Sequence, residues 1–153
     1  MCLVASSKRL KAETDLLVYK CLDTSKGRNG VEFCTPYQYF PITFNEGVCK
    51  MKSKLECDVR NSIHIGIHSY FDKESADNTA MHFNKQDGTK VFYAIIPKGA
   101  EYYFGCDCDV VSNKLVIFRY KKDYTAYAKD NIVKKASSLF GVKTNKIIKD
   151  VEL

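Results

Sequence analysis

Between Asp15 and Leu22 the chain reads DLLVYKCL, with Leu16, Val18 and Lys20 on one face of an extended segment and Leu17, Tyr19 and Cys21 on the other. Apolar residues on both sides, with few charges between them, predict a strand lying inside a sheet. From Ile63 to His68 the pattern alternates. Ile63, Ile65 and Ile67 point one way and His64, Gly66 and His68 the other, as in a half-buried strand. Lys90 to Ile96 reads as a further core strand, running into a Pro97-Lys98-Gly99 turn with proline suited to its first corner. Tyr102 to Phe104 and Leu115 to Tyr120 complete the predicted sheet.

Two stretches change to helical spacing. Asp72 is placed to cap a short helix reaching about Phe83, with Glu74 in its first turn and Ala76, Ala80, Met81 and Phe83 on its apolar side. Near the end, Ile132, Val133, Ala136, Leu139 and Phe140 share a face over 131–140, and Gly141 is suited to terminate that helix. Ile42 to Phe44 and Val48 to Met51, joined by Asn45-Glu46-Gly47, read as a hairpin. Pro36 and Pro41 bracket Tyr37, Tyr39 and Phe40, which predicts an irregular or edge segment. Hairpin signals without a repeated strand-helix-strand alternation predict an α+β fold: a mainly antiparallel twisted sheet with two short helices, in a single domain over 1–153.

Composition adds little to this picture except in its charge. At 153 residues and 45% hydrophobic, the chain is long enough to bury a core. Its net charge of +6 is concentrated: residues 119–153 hold nine Lys or Arg against four Asp or Glu. A lysine-rich helix with its charges in water accounts for that excess, so a nucleic-acid partner is not expected. Seven cysteines, odd in number and scattered, read as free thiols in a reducing cytosol. The absence of an 18-residue apolar run excludes a membrane-spanning helix. The N-terminal stretch does not have the order of a secretory leader, and the expected location is cytoplasmic.

Metal chemistry is not expected either. His64 and His68 lie roughly 13 Å apart along a strand rising about 3.3 Å per residue, whereas zinc takes donors about 2 Å away. The thiols of Cys106-Asp107-Cys108-Asp109 have no second pair at a suitable spacing. A phosphate-binding glycine loop, a dinucleotide fingerprint and a nucleophile elbow are all absent from the sequence. No cofactor is implied.

One succession of motifs does resemble a known family. A strand carrying Tyr19-Lys20 precedes His68-Ser69-Tyr70 and a short helix. A strand running into Ile96-Pro97-Lys98-Gly99 and a last strand after Ser112-Asn113-Lys114 then follow. This order is similar to the ADP-ribosyltransferase fold, although no arginine stands on the first strand and no glutamate precedes Leu115. The segments GIHSY, IPKGAEYYFG and VSNKLVIF also resemble small proteins carried by phages and prophages. Without the glutamate, the resemblance implies binding rather than transfer. The expectation is a non-catalytic binding protein for a phosphate-bearing, nucleotide-derived small molecule, of use to a phage in sequestering a host immune signal. Tyr19, Lys20, His68, Ser69, Tyr70, Lys98, Tyr102, Tyr103 and Asn113 would converge on the ligand at the mouth of the sheet, lysines drawing phosphate and tyrosines stacking a base. Other readings from the same residues are a divergent ADP-ribosyltransferase using Lys20 and His68, and a protein-binding module that meets a host protein or a second copy of itself.

Overall fold

A computed structural model of the protein describes residues 3–24, 32–36, 40–83, 88–105 and 108–139. In chain order its first strands are β1 (Leu3–Val4), β2 (Leu10–Lys11), β3 (Asp15–Thr24), β4 (Phe33–Cys34), β5 (Pro41–Ile42), β6 (Val48–Lys52) and β7 (Glu56–Cys57). They are followed by β8 (Ser62–Ile65), β9 (Ile67–Tyr70), helix α1 (Lys73–Phe83), β10 (Thr89–Ile96), β11 (Glu101–Phe104), β12 (Asp109–Ser112) and β13 (Lys114–Phe118). Helix α2 (Lys121–Asp130) and β14 (Val133–Lys135) come last, with a helical turn at 136–139. The expected α+β class and mainly antiparallel sheet are present, and the single parallel pairing among the described strands joins β14 to β3.

Strand β3 occupies the centre. The main sheet runs β2-β11-β12-β9-β3-β10-β13-β6. One edge of β3 is paired with β10 from Leu16 to Asp23. Its other edge is shared by β14 at Asp15–Leu17, β9 at Tyr19 and β4 at Asp23–Thr24. As the alternation predicted, the two faces of β3 enter different clusters. Leu16, Val18 and Leu22 join Phe92, Ala94, Ile96, Leu115, Ile117, Tyr102, Phe104 and Val110 in the main core. Cys21 and Tyr19 pack on the other side with Ala76 and Ala80 of α1. The main core takes Leu10 from one end of the sheet and Met51 from the other. Residues so far apart in strand order can share one cluster only if the sheet bends around it.

The outer, convex face is covered in three pieces. Helix α2 places Tyr124 5.2 Å from the Tyr93 ring in a stacked arrangement and 5.7 Å from Phe118. Helix α1 covers Cys21, and its Asp72 Oδ1 accepts the Ser75 N–H at 3.3 Å as the expected cap. A small sheet, β1-β8-β7, lays Ile63 over Val111 and Tyr103, with Leu55, just before β7, in the same cluster.

Several sequence expectations change at this level. The alternating run from Ile63 is two strands, with β8 in the small sheet and β9 in the main one. Ile63 and Ile67 are buried but Ile65 is 37% exposed. The break falls at Gly66, where an added Cβ would lie 2.3 Å from Val111 Cγ1 and 2.9 Å from Leu55 Cδ1. The Asn45-Gly47 turn forms, with Asn45 and Val48 exchanging backbone bonds of 2.8 and 3.1 Å. Its expected hairpin does not, because β6 pairs β13 and Pro41–Ile42 pairs β4. Pro97 supplies the carbonyl that closes its turn to Ala100 N–H at 3.0 Å, and Gly99 takes the corner at φ 89°. Met81 is exposed rather than buried.

The expected second helix forms only in part, as the turn at 136–139. An additional helix, α2, spans Lys121–Asp130, and Asp123 Oδ2 accepts the Tyr120 N–H at its start. Val133–Lys135 instead extend along β3, Ile132 is 78% exposed, and among the described residues of the expected apolar stripe only Ala136 is fully buried. The open edge of β3 offered those residues backbone partners, and that outweighed their helical spacing. Tyr37, Tyr39, Cys106, Phe140 and Gly141 lie outside the described residues.

Gly66→Ala tests the sheet switch. The crowding at Val111 and Leu55 predicts a loss of about 1–3 kcal/mol in denaturant unfolding. A loss below about 0.5 kcal/mol would show that the two sheets can part to admit a methyl group.

Candidate functional site

The nine residues expected to line a cleft are distributed over both faces of the sheet. Tyr19 stands opposite Tyr70, so the two share the outer face, and His68, two positions along β9, shares it with them. Tyr103 is also on that side, against Val111. Lys20 and Ser69 point inward, as does the buried Tyr102. Lys98 is exposed in its turn, with its N–H bonded to Asp15 Oδ1 at 2.8 Å. Asn113 Oδ1 accepts the Glu101 N–H at 2.9 Å and braces the turn between β12 and β13. The sheet therefore does not bring Lys20 and His68 side chains together. Their contact runs from Lys20 Nζ to the backbone oxygen of His68, at 2.7 Å.

Both groups are electrostatically displaced. Burial lowers the Lys20 ammonium from 10.5 to about 8. Burial, and then the Lys20 charge, lower the His68 imidazole from 6.5 to about 4. Such displacement marks either a functional group or an internal conflict. Among the described residues, no carboxylate forms an ion pair with Lys20.

A broad open groove lies elsewhere, at the end of the outer face beyond the two helices and the small sheet. It encloses about 970 Å³ over β6 and β13, lined by Val48, Lys50, Lys52, Lys114, Val116 and Tyr127, among others. Register explains its chemistry. Lys52 is directly opposite Lys114, Lys50 opposite Val116, and Val48 opposite Phe118, so three ammonium groups and an apolar strip share one face. Like charges placed directly across a sheet repel. None of the three lysines has an ion-pair partner among the described residues. Glu46, in the turn before β6, is the carboxylate at the groove.

Tyr127 forms a wall of the groove and is held in place. Its hydroxyl donates to Asp15 Oδ2 at 2.6 Å, and burial with that carboxylate raises the phenol to about 12. The same Asp15 accepts from Lys98 N–H, so one side chain at the start of β3 ties α2 to the turn between β10 and β11. Gly47 and Asp123 belong to a neighbouring hollow, where a Cβ on Gly47 would meet the carboxylate at 2.7 Å.

A second hollow of about 500 Å³ adjoins the first at Thr43. Arg119 dominates it, with its guanidinium 4.6 Å from the Phe33 centroid, 5.2 Å from Tyr120 and 5.6 Å from Phe44. Glu32 Oε1 accepts from it at 2.7 Å. Arg119 and Lys122 are matched in number by Glu32 and Asp123 around this hollow. Its charge is internally balanced, and its stacked cation packs β4 against the start of α2.

Lys50, Lys52 and Lys114 are not among the residues singled out from the sequence, because lysines alternating along a short strand are ordinary on a protein surface. The signal available was the Val48-Lys50-Lys52 alternation. Lys114 joins it only through the register of β13. No protein-family model, curated protein or solved structure matches the chain, so the reading of the site rests on its own chemistry.

Lys20 makes stability depend on pH. The unfolded lysine keeps its proton up to about 10.5 and the folded one releases it near 8. The unfolded state therefore binds more protons between these values, and stability rises with pH there. Below pH 8 the penalty is fully present. Wild-type protein is expected to gain of order 2–3 kcal/mol between pH 7 and 10, read by urea unfolding, and Lys20→Met should be more stable at pH 7 and lose that slope. A slope that persists in Lys20→Met would assign it to other groups.

Proposed function

We propose that the protein binds, without catalysis, a phosphate-bearing, nucleotide-derived small molecule in the groove over β6 and β13. The observation that carries this reading is the convergence of Lys50, Lys52 and Lys114 on one face without ion-pair partners. Placing like charges opposite one another costs stability, and a bound polyanion reverses the sign of that term. Lysines also protect open strand edges, which accounts for Lys50 and Lys52 on the terminal strand β6. It does not account for Lys114, since β13 is paired on both sides.

The rest of the groove suits the remainder of such a ligand. Val48 and Val116 offer an apolar floor beside the lysines, and the Tyr127 ring offers a surface on which a base can pack. The volume lies near the upper end of the range for small-molecule sites. Fixing Tyr127 through Asp15 before binding lowers the entropy lost on binding. The resemblance to phage-carried proteins extends this reading to sequestration of a host signalling nucleotide, with capture rather than turnover as the activity.

The test is calorimetric titration with ATP and with inorganic pyrophosphate at low and physiological salt. Wild-type protein is expected to bind both, ATP more tightly, with affinity falling as salt rises. Lys52→Gln and Lys114→Gln should each weaken ATP binding by about ten- to a hundred-fold. Each should also leave the melting temperature unchanged or raise it, because the repulsion between the two positions is relieved. Absence of binding by wild-type protein, or undiminished binding by both variants, would refute the proposal.

A further inference from the structure

The inner face of the sheet presents a separate problem. Lys20 is 6% exposed and Ser69 is fully buried. Because Tyr19 pairs with Tyr70, Lys20 and Ser69 occupy the next position along each strand and point to the same, inward side. Phe92 is the partner of Lys20 across β10, and Val18 and Leu22 flank it along β3 on the same face.

An ammonium has three hydrogens to donate. One is taken by the His68 carbonyl at 2.7 Å, and no other acceptor is recorded for it among the described residues. The Ser69 hydroxyl, fully buried, has no hydrogen-bond partner among the described residues. Nearby Ser112 is also buried, but its hydroxyl is engaged with the Lys114 carbonyl at 3.0 Å. A buried cation and a buried hydroxyl thus stand side by side on the inner face of adjacent strands, both with donors unspent. Buried charges are ordinarily paired, and leaving one unpaired costs several kcal/mol.

We propose that Lys20 and Ser69 together bind a small monovalent anion of the halide class, chloride in the cell, inside the curved sheet. The anion supplies the counter-charge that no carboxylate supplies and accepts one hydrogen bond from each side chain. Loss of the Lys20 proton is the other way to remove the conflict. It takes over only above about pH 8, so at neutral pH the ammonium needs its counter-ion. The complete burial of Ser69 and Ser112 favours a monatomic ion over sulfate or phosphate. This site is independent of the lysine groove, which lies on the opposite face.

Thermal unfolding at pH 7 in sodium chloride, sodium bromide and sodium gluconate of equal ionic strength tests the proposal. Wild-type protein is expected to melt higher in either halide than in gluconate. Once chloride exceeds its dissociation constant, each tenfold increase should raise the midpoint by about 3–5 °C. Lys20→Met should abolish the difference between the salts and Ser69→Ala should reduce it, while Lys52→Gln should leave it intact. Bromide-soaked crystals of wild-type protein should show an anomalous peak at hydrogen-bonding distance from Lys20 Nζ, a readout that stands even if Lys20→Met fails to fold. Equal melting temperatures in all three salts, a halide effect that survives Lys20→Met, or bromide found only in the lysine groove would overturn it. In each of those cases the nucleotide-binding test of the groove is unaffected.

Discussion

The architecture depends on satisfying both edges of β3 at once. A central strand of ten residues carries backbone donors and acceptors along its whole length, and each must find a partner when the strand is buried. Strand β10 satisfies one edge continuously. Three short segments, β14, β9 and β4, divide the other between them. Those segments come from the end, the middle and the early part of the chain, so pairing to one strand gathers distant sequence into one place. The two limbs of the sheet that leave β3 then curve until their inner faces meet as a common core.

Coverage of the outer face follows from what remains. Aromatic rings run across it from Tyr19 to Tyr93, Tyr124, Phe118 and Tyr127, with neighbouring centroids 5.2–5.7 Å apart, and this ladder seats α2. Helix α1 and the small sheet take the part beyond it. Nothing among the described residues covers the far end over β6, where Lys50, Lys52 and Lys114 stand outward beside Val48 and Val116. The groove is the margin of the outer layer. Its walls are the last rings of the ladder, and its charge comes from the rows of two paired strands.

Two departures from the rule that like avoids like and charge avoids the core thus stand on opposite sides of one sheet. Natural sequences tend to keep such local conflicts where a ligand or a function compensates for them. The opposed lysines face solvent and a broad groove, which suits an extended polyanion. Lys20 faces apolar neighbours and a buried hydroxyl, which suits a single small ion. The same residue type therefore points to two chemistries, separated by exposure alone.

What the sequence determined by itself was periodicity. The two-faced pattern of DLLVYKCL specified a buried strand, Asp72 with Ala76 and Ala80 specified α1, and the strands expected at Lys90–Ile96, Tyr102–Phe104 and Leu115–Tyr120 formed, the last ending at Phe118. Local backbone geometry and side-chain burial act over a few residues, so they can be read from a few residues. Tertiary structure decided everything that needed a partner. It split the Ile63–His68 run at Gly66, because two sheets approach there too closely for a side chain. It turned Val133–Lys135 into a strand, because β3 had an edge to offer. It also placed Lys20 and His68 on opposite faces and Lys52 beside Lys114, because side-chain neighbours across a sheet are set by register between segments up to 62 residues apart in sequence. No periodicity within either segment records that register.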